Sequence, residues 1–451
     1  MTLESLKTRL GGTIISAFEP GLAEAADSLI WNGRKPAHRV KLIVRAASAA
    51  DVQHAVRHAA EAGLTVSARG GGHGFSGIAV GADMVIDVSA LDRLSLDPAH
   101  MSARVEPGVT NGRMAAALER QGLSFPLGHC SSVPMSGYLL GGGLGWNSAE
   151  WGFACFSVQA VEVVLADGSL VTASAEDHPD VFWAARGAGP AFFGIVTAYH
   201  VRLQPAANAI STGVRIFPGT MAGPVADWAE TVMASAPACV EFTAKVTRTD
   251  LGVAIAAIAT VFAASAPEGV AIHDALWRDA PPAVEQIGPF PSTFTALYEA
   301  PDASMPVGRR YAVDSVWSDG GYAPLLSEMV AAVARAPSPD SSSLLVLRPN
   351  AVATPDIAAF SCHGRVFAEL QAVWEEPTED AENTAWLRHA IDRVTPVCSG
   401  SYVGEADLGR SDRALPVHSP AVTERLADLR ARHDPRQLFV TLPSPMRTAA
   451  E

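Results

Sequence analysis

Arg69-Gly70-Gly71-Gly72-His73-Gly74-Phe75-Ser76-Gly77 is the stretch whose reading decides the fold. Leu64 to Ala68 before it and Met84 to Val88 after it read as extended runs, so the glycines lie in a turn between strands. Glycine lets the backbone take φ > 0 and approach a ligand closely, turning successive N–H groups into a concave donor surface suited to a diphosphate. One titratable ring, His73, sits inside that surface. Gly72, Gly74 and Gly77 also spell G-x-G-x-x-G, but a dinucleotide fingerprint of the Rossmann type needs a helix to open at the third glycine. Here Ile78 to Met84 leads into a strand, so that reading is rejected, and an ordinary glycine-rich surface turn stands as the alternative.

Working outward, Val40 to Arg45 predicts a strand, and Ser48 with Asp51 caps a helix that ends at Gly63. Val52, Ala55, Val56 and Ala59 fall on one stripe of it, which predicts packing on a sheet. His54 and His58, four apart on that helix, suit a metal only with a third ligand, and two exposed histidines are the expectation. Upstream, a short helix and a strand at Thr13 to Phe18 are expected. Downstream, Ser102 to Val105 is a strand and Thr110 caps a helix closed by Gly122. A second glycine-dense stretch follows, Leu127-Gly-His-Cys130 through Gly141-Gly-Gly-Leu-Gly145, then Trp146 and Asn147. Two such turns, each carrying a nucleophilic side chain (His73, Cys130), suggest a cofactor approached by backbone along its length. Val158 to Leu165 and Leu170 to Ala173 flank Asp167-Gly168 as a hairpin. Asp180 to Thr197 gives a helix, a glycine-proline turn and a strand.

Beyond Pro205 the glycine clusters vanish. Val240 to Val246, Val253 to Phe262, Ser343 to Arg348 and Val366 to Trp374 read as strands, with helices at 267–278, 322–336 and 379–394. Runs of strands with helices on one side predict an antiparallel α+β layer. Pro301 to Val307 is expected as loop. A helix from Ala421 to Arg432 closes the chain before His433-Asp-Pro-Arg-Gln-Leu-Phe439.

The 451 residues, 48% of them hydrophobic, suffice for two or three domains, and the net charge of −14 argues against nucleic acid or an anionic membrane as partner. No stretch is long enough to span a bilayer, and the short apolar run near the N-terminus does not make a secretory signal. Five scattered cysteines form neither a disulfide framework nor a metal-ligand spacing, so a reduced, cytoplasmic protein is expected and no metal.

Trp31-Asn-Gly-Arg34, Arg69 to His73, Gly128-His-Cys130, Gly141 to Gly145, Phe182 to Gly189, Phe193 to Thr197 and Asp434 to Phe439 together resemble the FAD-linked oxidases of the berberine-bridge-enzyme-like and vanillyl-alcohol-oxidase superfamily. The resemblance implies an α+β fold: a PCMH-type FAD-binding domain of two α+β subdomains (1–205), a substrate domain with a helix-covered antiparallel sheet (206–400), and a segment (401–451) returning to the FAD domain. It implies FAD, tethered covalently through His73 to the flavin 8-methyl carbon and through Cys130 to the 6-carbon. Expected cofactor residues are Arg69, Gly70, Gly71, Gly72, His73, Gly74, Gly77, Cys130, Val133, Ser136, Gly137, Gly141, Gly142, Gly143, Gly145, Asn147, Gly194, Ile195 and Val196. Tyr402 matches the family's base, and Glu405 is a second candidate. A small organic substrate with O2 as electron acceptor is implied, against two alternatives: a flavin-loaded binder without turnover, or a dehydrogenase with another acceptor. The oligomeric state is left open. The chain departs from the family where Ala149-Glu150 replace a basic residue, where Gly404 and Gln437 replace asparagines, and at Thr441 to Pro443.

Overall fold

A computed structural model describes residues 2–17, 19–349, 357–441 and 446. Phe18, the expected end of the first strand, and Leu442 and Pro443 lie outside them. The fold is α+β and contains three main sheets. The first combines β1 (Thr13–Ser16), β2 (Leu42–Arg45), β3 (Val66–Arg69) and β4 (Met84–Asp87) in the order β1-β2-β4-β3. β4 runs parallel to both neighbours, and the glycine turn leaves the carboxyl end of β3 before the chain crosses to β4. In parallel sheets that end is where ligands dock.

The helix Ala49–Ala62 forms as its sequence dictates. Ser48 Oγ accepts the Asp51 N–H, and Gly63 closes the helix at φ 66°. The Asp51 carboxylate also accepts N–H groups of Gly11, Gly12 and Ala47, tying the N-terminal strand to the helix. Val52, Ala55, Val56 and Ala59 are buried against Val44, Val66 and Ile86. Each buried valine contributes roughly 1.5 kcal/mol or more by leaving water. His58 is buried rather than exposed, a consequence of the stripe being wider than its apolar letters. Among the described residues no cluster of three metal-binding side chains occurs.

The second sheet contains β5 (Leu94–Asp97), β6 (Ser102–Val105), β8 (Val158–Leu165), β9 (Leu170–Ser174) and β10 (Gly194–Arg202), ordered β5-β6-β10-β8-β9. The intervening β7 (Leu123–Ser124) pairs with β11 (Gln204–Pro205). The expected hairpin is β8–β9, its turn held by Asp167 Oδ1 and by Gly168 at φ 76°.

The third sheet is antiparallel throughout: β12 (Ala209–Pro218), β13 (Val240–Thr249), β14 (Gly252–Ala263), β15 (Glu285–Ser292), β16 (Arg310–Ser318), β17 (Ser342–Leu347) and β18 (Val366–Trp374), in the order β15-β12-β14-β13-β17-β18-β16. Alternation sets its two faces. On β13, Phe242, Ala244 and Val246 pack under the helices Ala222–Met233, Tyr322–Ala334 and Asp380–Val394. Glu241, Thr243 and Lys245 point the other way.

Among the elements that go beyond the sequence reading are β5, β12, β15, β16 and the helix Ala222–Met233. β15 is almost wholly exposed and holds two prolines, which only an edge strand tolerates. The Pro301–Val307 stretch starts as the end of a short helix, Glu299–Ala303, rather than as loop. At the C-terminus the helix Pro420–His433 buries Val422, Leu426 and Leu429 in the core shared with the second sheet. The chain then runs back to the first sheet, where Val66 N–H donates to Leu438 O at 2.7 Å and Val440 N–H to Val66 O at 2.9 Å. Both Asp434 oxygens brace this return, accepting from Leu438 and Phe439 N–H.

Candidate active site

One cavity of about 750 Å³ lies between the glycine turns and the polar face of the third sheet. Its size falls within the range of cofactor and ligand sites, roughly 300–1,000 Å³. Of the expected cofactor residues, Gly70 to Gly74, Cys130, Val133, Ser136, Gly137, Gly141, Gly194, Ile195 and Val196 line it. Arg69, Gly77, Gly142, Gly143, Gly145 and Asn147 do not.

Protein contacts exclude a side chain at most of these glycines, on the cavity wall (a Cβ on Gly70, Gly71 or Gly72 would meet Ser136, Pro134 or Leu29 at 1.8–2.5 Å) as well as behind it. A Cβ on Gly145 would lie 2.3 Å from Tyr138 Oη and 2.4 Å from Leu127 O, and one on Gly143 2.6 Å from Ala154 Cβ, so protein packing excludes side chains there. A Cβ on Gly137 would meet no protein atom within 4 Å, and one on Gly74 only Ile78 Cγ2 at 4.0 Å. Packing does not account for glycine at these two cavity positions. A side chain there would enter the cavity instead, and bare backbone of this kind suits an extended dinucleotide such as FAD. Arg69 acts one step back: its guanidinium donates to Leu29 O, Asp87 Oδ1 and Gly71 O, fixing the turn.

His73 stacks on Trp31 with ring centroids 5.6 Å apart. Burial, then the Arg69 charge, lowers its pKa to about 4, so the ring is neutral at pH 7. Cys130 faces the same cavity, its carbonyl accepting from Asn111 Nδ2. Burial first, and then Glu405, Glu369 and Asp302, push its thiol up to about 12. The imidazole is therefore an available nucleophile, and the thiol is held in its less reactive form.

Tyr402 is buried against Phe360 and Phe367. Its Oη accepts the N–H groups of Gly143 (3.2 Å) and Leu144 (3.4 Å), and burial followed by the Glu405 charge raises its pKa. Gly143, absent from the cavity wall, thus serves the tyrosine. Glu405 has one buried carboxylate oxygen, Oε2, without a hydrogen-bond partner among the described residues. Burial, and next the charge of Glu369, hold its carboxyl well above the usual range.

Glu369, Lys245, Glu241 and His129 were not singled out in the sequence, yet all four line the cavity. Glu369 accepts from Gln371 Nε2 at 2.9 Å, and burial raises its pKa too. Burial lowers that of Lys245, against the pull of Glu369. Alternation on β13 and β18 was the signal available, since polar letters at every second position of a strand between apolar ones mark a face turned to water or to a ligand. Of the conspicuous tryptophans, Trp146 lines the cavity, whereas Trp151 and Trp183 pack in the core. Where the family carries asparagine, Gln437 adopts φ 52°. Exposed Gly404 borders the cavity beside the Tyr402 ring.

A family model described as an FAD binding domain matches residues 40–174. FAD-linked oxidoreductase ptmO of Penicillium ochrochloron is 29% identical over 436 residues, covering 94% of this chain and 95% of that protein. Two solved structures share the fold. They are 6-hydroxy-D-nicotine oxidase from Arthrobacter nicotinovorans (TM-score 0.84, 21% identity, 96% of this chain and 98% of that one) and berberine bridge enzyme from Eschscholzia californica (TM-score 0.83, 18% identity, all of both chains). Residues 40–174 thus match an FAD binding domain, the chain is similar over nearly its whole length to FAD-linked oxidoreductases, and its fold is that of the berberine-bridge-enzyme-like, PCMH-type oxidases.

Proposed function

We propose that the cavity holds FAD along the bared backbone of the two glycine stretches, tethered through His73, with Cys130 as a second attachment. The enzyme then acts as an oxidase that removes hydride from a C–H next to O or N of a small organic substrate. When bound, FAD supplies the hydride acceptor and passes the electrons on to O2, giving H2O2. The observation that carries this reading is the composition of one cavity: Gly74 and Gly137, whose missing side chains protein packing does not require, stand on one wall, and ionisable groups pushed toward their neutral forms on the other. Perturbed titration of several groups in one cleft is a mark of proton-handling sites.

Hydride leaves carbon readily only if the adjoining O–H or N–H gives up its proton in step. Glu405 receives it in this assignment. Burial makes its carboxylate a stronger base than an ordinary one, and its buried Oε2 has no hydrogen-bond partner among the described residues. Tyr402 is the other member of the site. Its phenol is moved further from neutral pH, while the Gly143 and Leu144 N–H groups favour negative charge on Oη. The free cysteines agree with a reduced, cytoplasmic setting.

Anaerobic mixing with candidate alcohols and amines, coupled to peroxide detection on readmitting air, tests the reading. An oxidase bleaches and recovers with formation of peroxide. A binder without turnover never bleaches, and a dehydrogenase bleaches but recovers only with another acceptor. Tyr402→Phe is expected to keep flavin and lose turnover about tenfold, less than Glu405→Gln does. Full turnover in Tyr402→Phe removes the tyrosine from the chemistry.

A further inference from the structure

His129 stands directly before Cys130 and lines the cavity, its ring against Trp146 with centroids 4.2 Å apart. Its Nε2 lies 2.7 Å from Glu241 Oε1, across 112 residues of sequence. The second oxygen of Glu241 is occupied as well, accepting the Asn147 N–H at 2.9 Å. Asn147 is fixed in turn, at φ 56° with Nδ2 donating to Glu150. Glu241 is 7% exposed, so both of its bonds are shielded from water. A carboxylate has acceptors only. The Nε2 proton is therefore committed to Glu241, and a neutral ring has only the Nδ1 lone pair to offer. Beside it, the Trp146 Nε1–H is buried and has no partner among the described residues, although Trp146 also lines the cavity.

Resting on the oxidase reading above, we propose that His129 is a specificity-determining residue that accepts a hydrogen bond from an O–H or N–H of the substrate, with Glu241 as the positioning residue that locks its tautomer. The preferred substrate class is thus small molecules bearing a hydroxyl or amine hydrogen near the oxidised carbon, and the same carbon skeleton with that hydrogen replaced by methyl is rejected. A site built to bond such a hydrogen discriminates steeply, because rejection leaves its own buried group unpaired.

The locking makes a sharp statement about Glu241→Gln. The Asn147 backbone N–H can only donate, so the glutamine carbonyl must stay on that side and its NH2 group must face His129. Nε2 then has to be the acceptor, the proton moves to Nδ1, and the ring offers a donor where it had offered a lone pair. The preference for an alcohol over its methyl ether should vanish or reverse.

The test uses the flavin-loaded protein at pH 8. 2-Phenyl-2-propanol and its methyl ether, which carry no C–H on the alcohol carbon and so cannot bleach the flavin, are titrated anaerobically, and dissociation constants are read from the flavin difference spectrum. The wild type should bind the alcohol at least about tenfold more tightly than the ether. His129→Leu should bring the ratio near one, and Glu241→Gln should bring it to one or below. An undiminished alcohol preference in both folded variants overturns the proposal, as does a wild type that prefers neither probe. A preparation that carries no flavin at all fails the oxidase reading instead.

Discussion

The two walls of the cavity are built on opposite principles. The wall of Gly70 to Gly74, Gly137 and Gly141 presents main chain, and its residues come from short stretches contiguous in sequence. The wall of Glu241, Lys245 and Glu369 presents side chains, one or two from each strand of a sheet assembled from distant segments. The first wall suits a cofactor common to a whole superfamily, because backbone amides and missing side chains recognise shape and phosphate rather than one substrate. The second can vary without disturbing the fold, since its outward-alternating positions carry none of the packing under the helices.

The contrast breaks most visibly if the bared glycines are filled. Gly137→Val or Gly74→Val should abolish flavin retention while leaving the melting temperature of the flavin-free protein within a few degrees, because the added carbons enter the cavity and not the protein. Absorbance near 450 nm per mole of protein, alongside a thermal melt, reads both. A variant that keeps full flavin shows that the bared backbone is not the cofactor wall.

On the opposite wall the largest loss is expected from Glu405→Gln, roughly 10²- to 10³-fold in kcat with flavin content unchanged, as for loss of a general base. Stopped-flow bleaching under anaerobic conditions isolates that step, and activity in the wild type should rise with pH as the raised carboxyl ionises.

Gly145→Ala sharpens the comparison from the other side. Here the new Cβ collides with Tyr138 Oη and the Leu127 carbonyl, so the expected result is a stability loss of about 1–3 kcal/mol by denaturant titration, from overpacking rather than from lost cofactor contacts.

The last effect concerns acid. In flavin-free protein the His73 pKa is lowered from 6.5 to about 4, so the unfolded chain binds the proton more tightly. Its contribution is present above pH 6.5 and is lost as pH falls from 6.5 toward 4, by about 3 kcal/mol at most and less after solvent screening. His73→Gln should flatten that part of the stability profile. An unchanged profile in the variant assigns the acid sensitivity to other groups.

How much was legible in the sequence follows the same division. The cofactor side announces itself through glycine spacing, caps such as Ser48 and Thr110, and nucleophiles placed within the turns, all of which are local signals. Tyr402 and Glu405 were reached by likeness to a motif, and their surroundings came only from the fold. Glu369 and Lys245 were invisible because nothing near them in sequence shows that β18 and β13 bring their polar faces to one cavity, two strands apart across β17. β15 was hidden for another reason: an exposed edge strand with prolines has neither the apolar alternation nor the composition by which strands are recognised. Gly143 and Gly145 show a second reason for glycine in such a run, the packing around Tyr138 and Tyr402.

The account's central claim is that FAD is gripped by the glycine wall and tethered through the neutral imidazole of His73. The most direct measurement is to denature the purified yellow protein, digest it after lysine and arginine, and follow flavin absorbance and peptide mass together. The account predicts that flavin stays on the peptide beginning at Gly70, with its mass increased by the flavin and, through the second attachment at Cys130, by the peptide Gln121–Arg186. Flavin released entirely into solution, with the His73 peptide recovered at its unmodified mass, would contradict it.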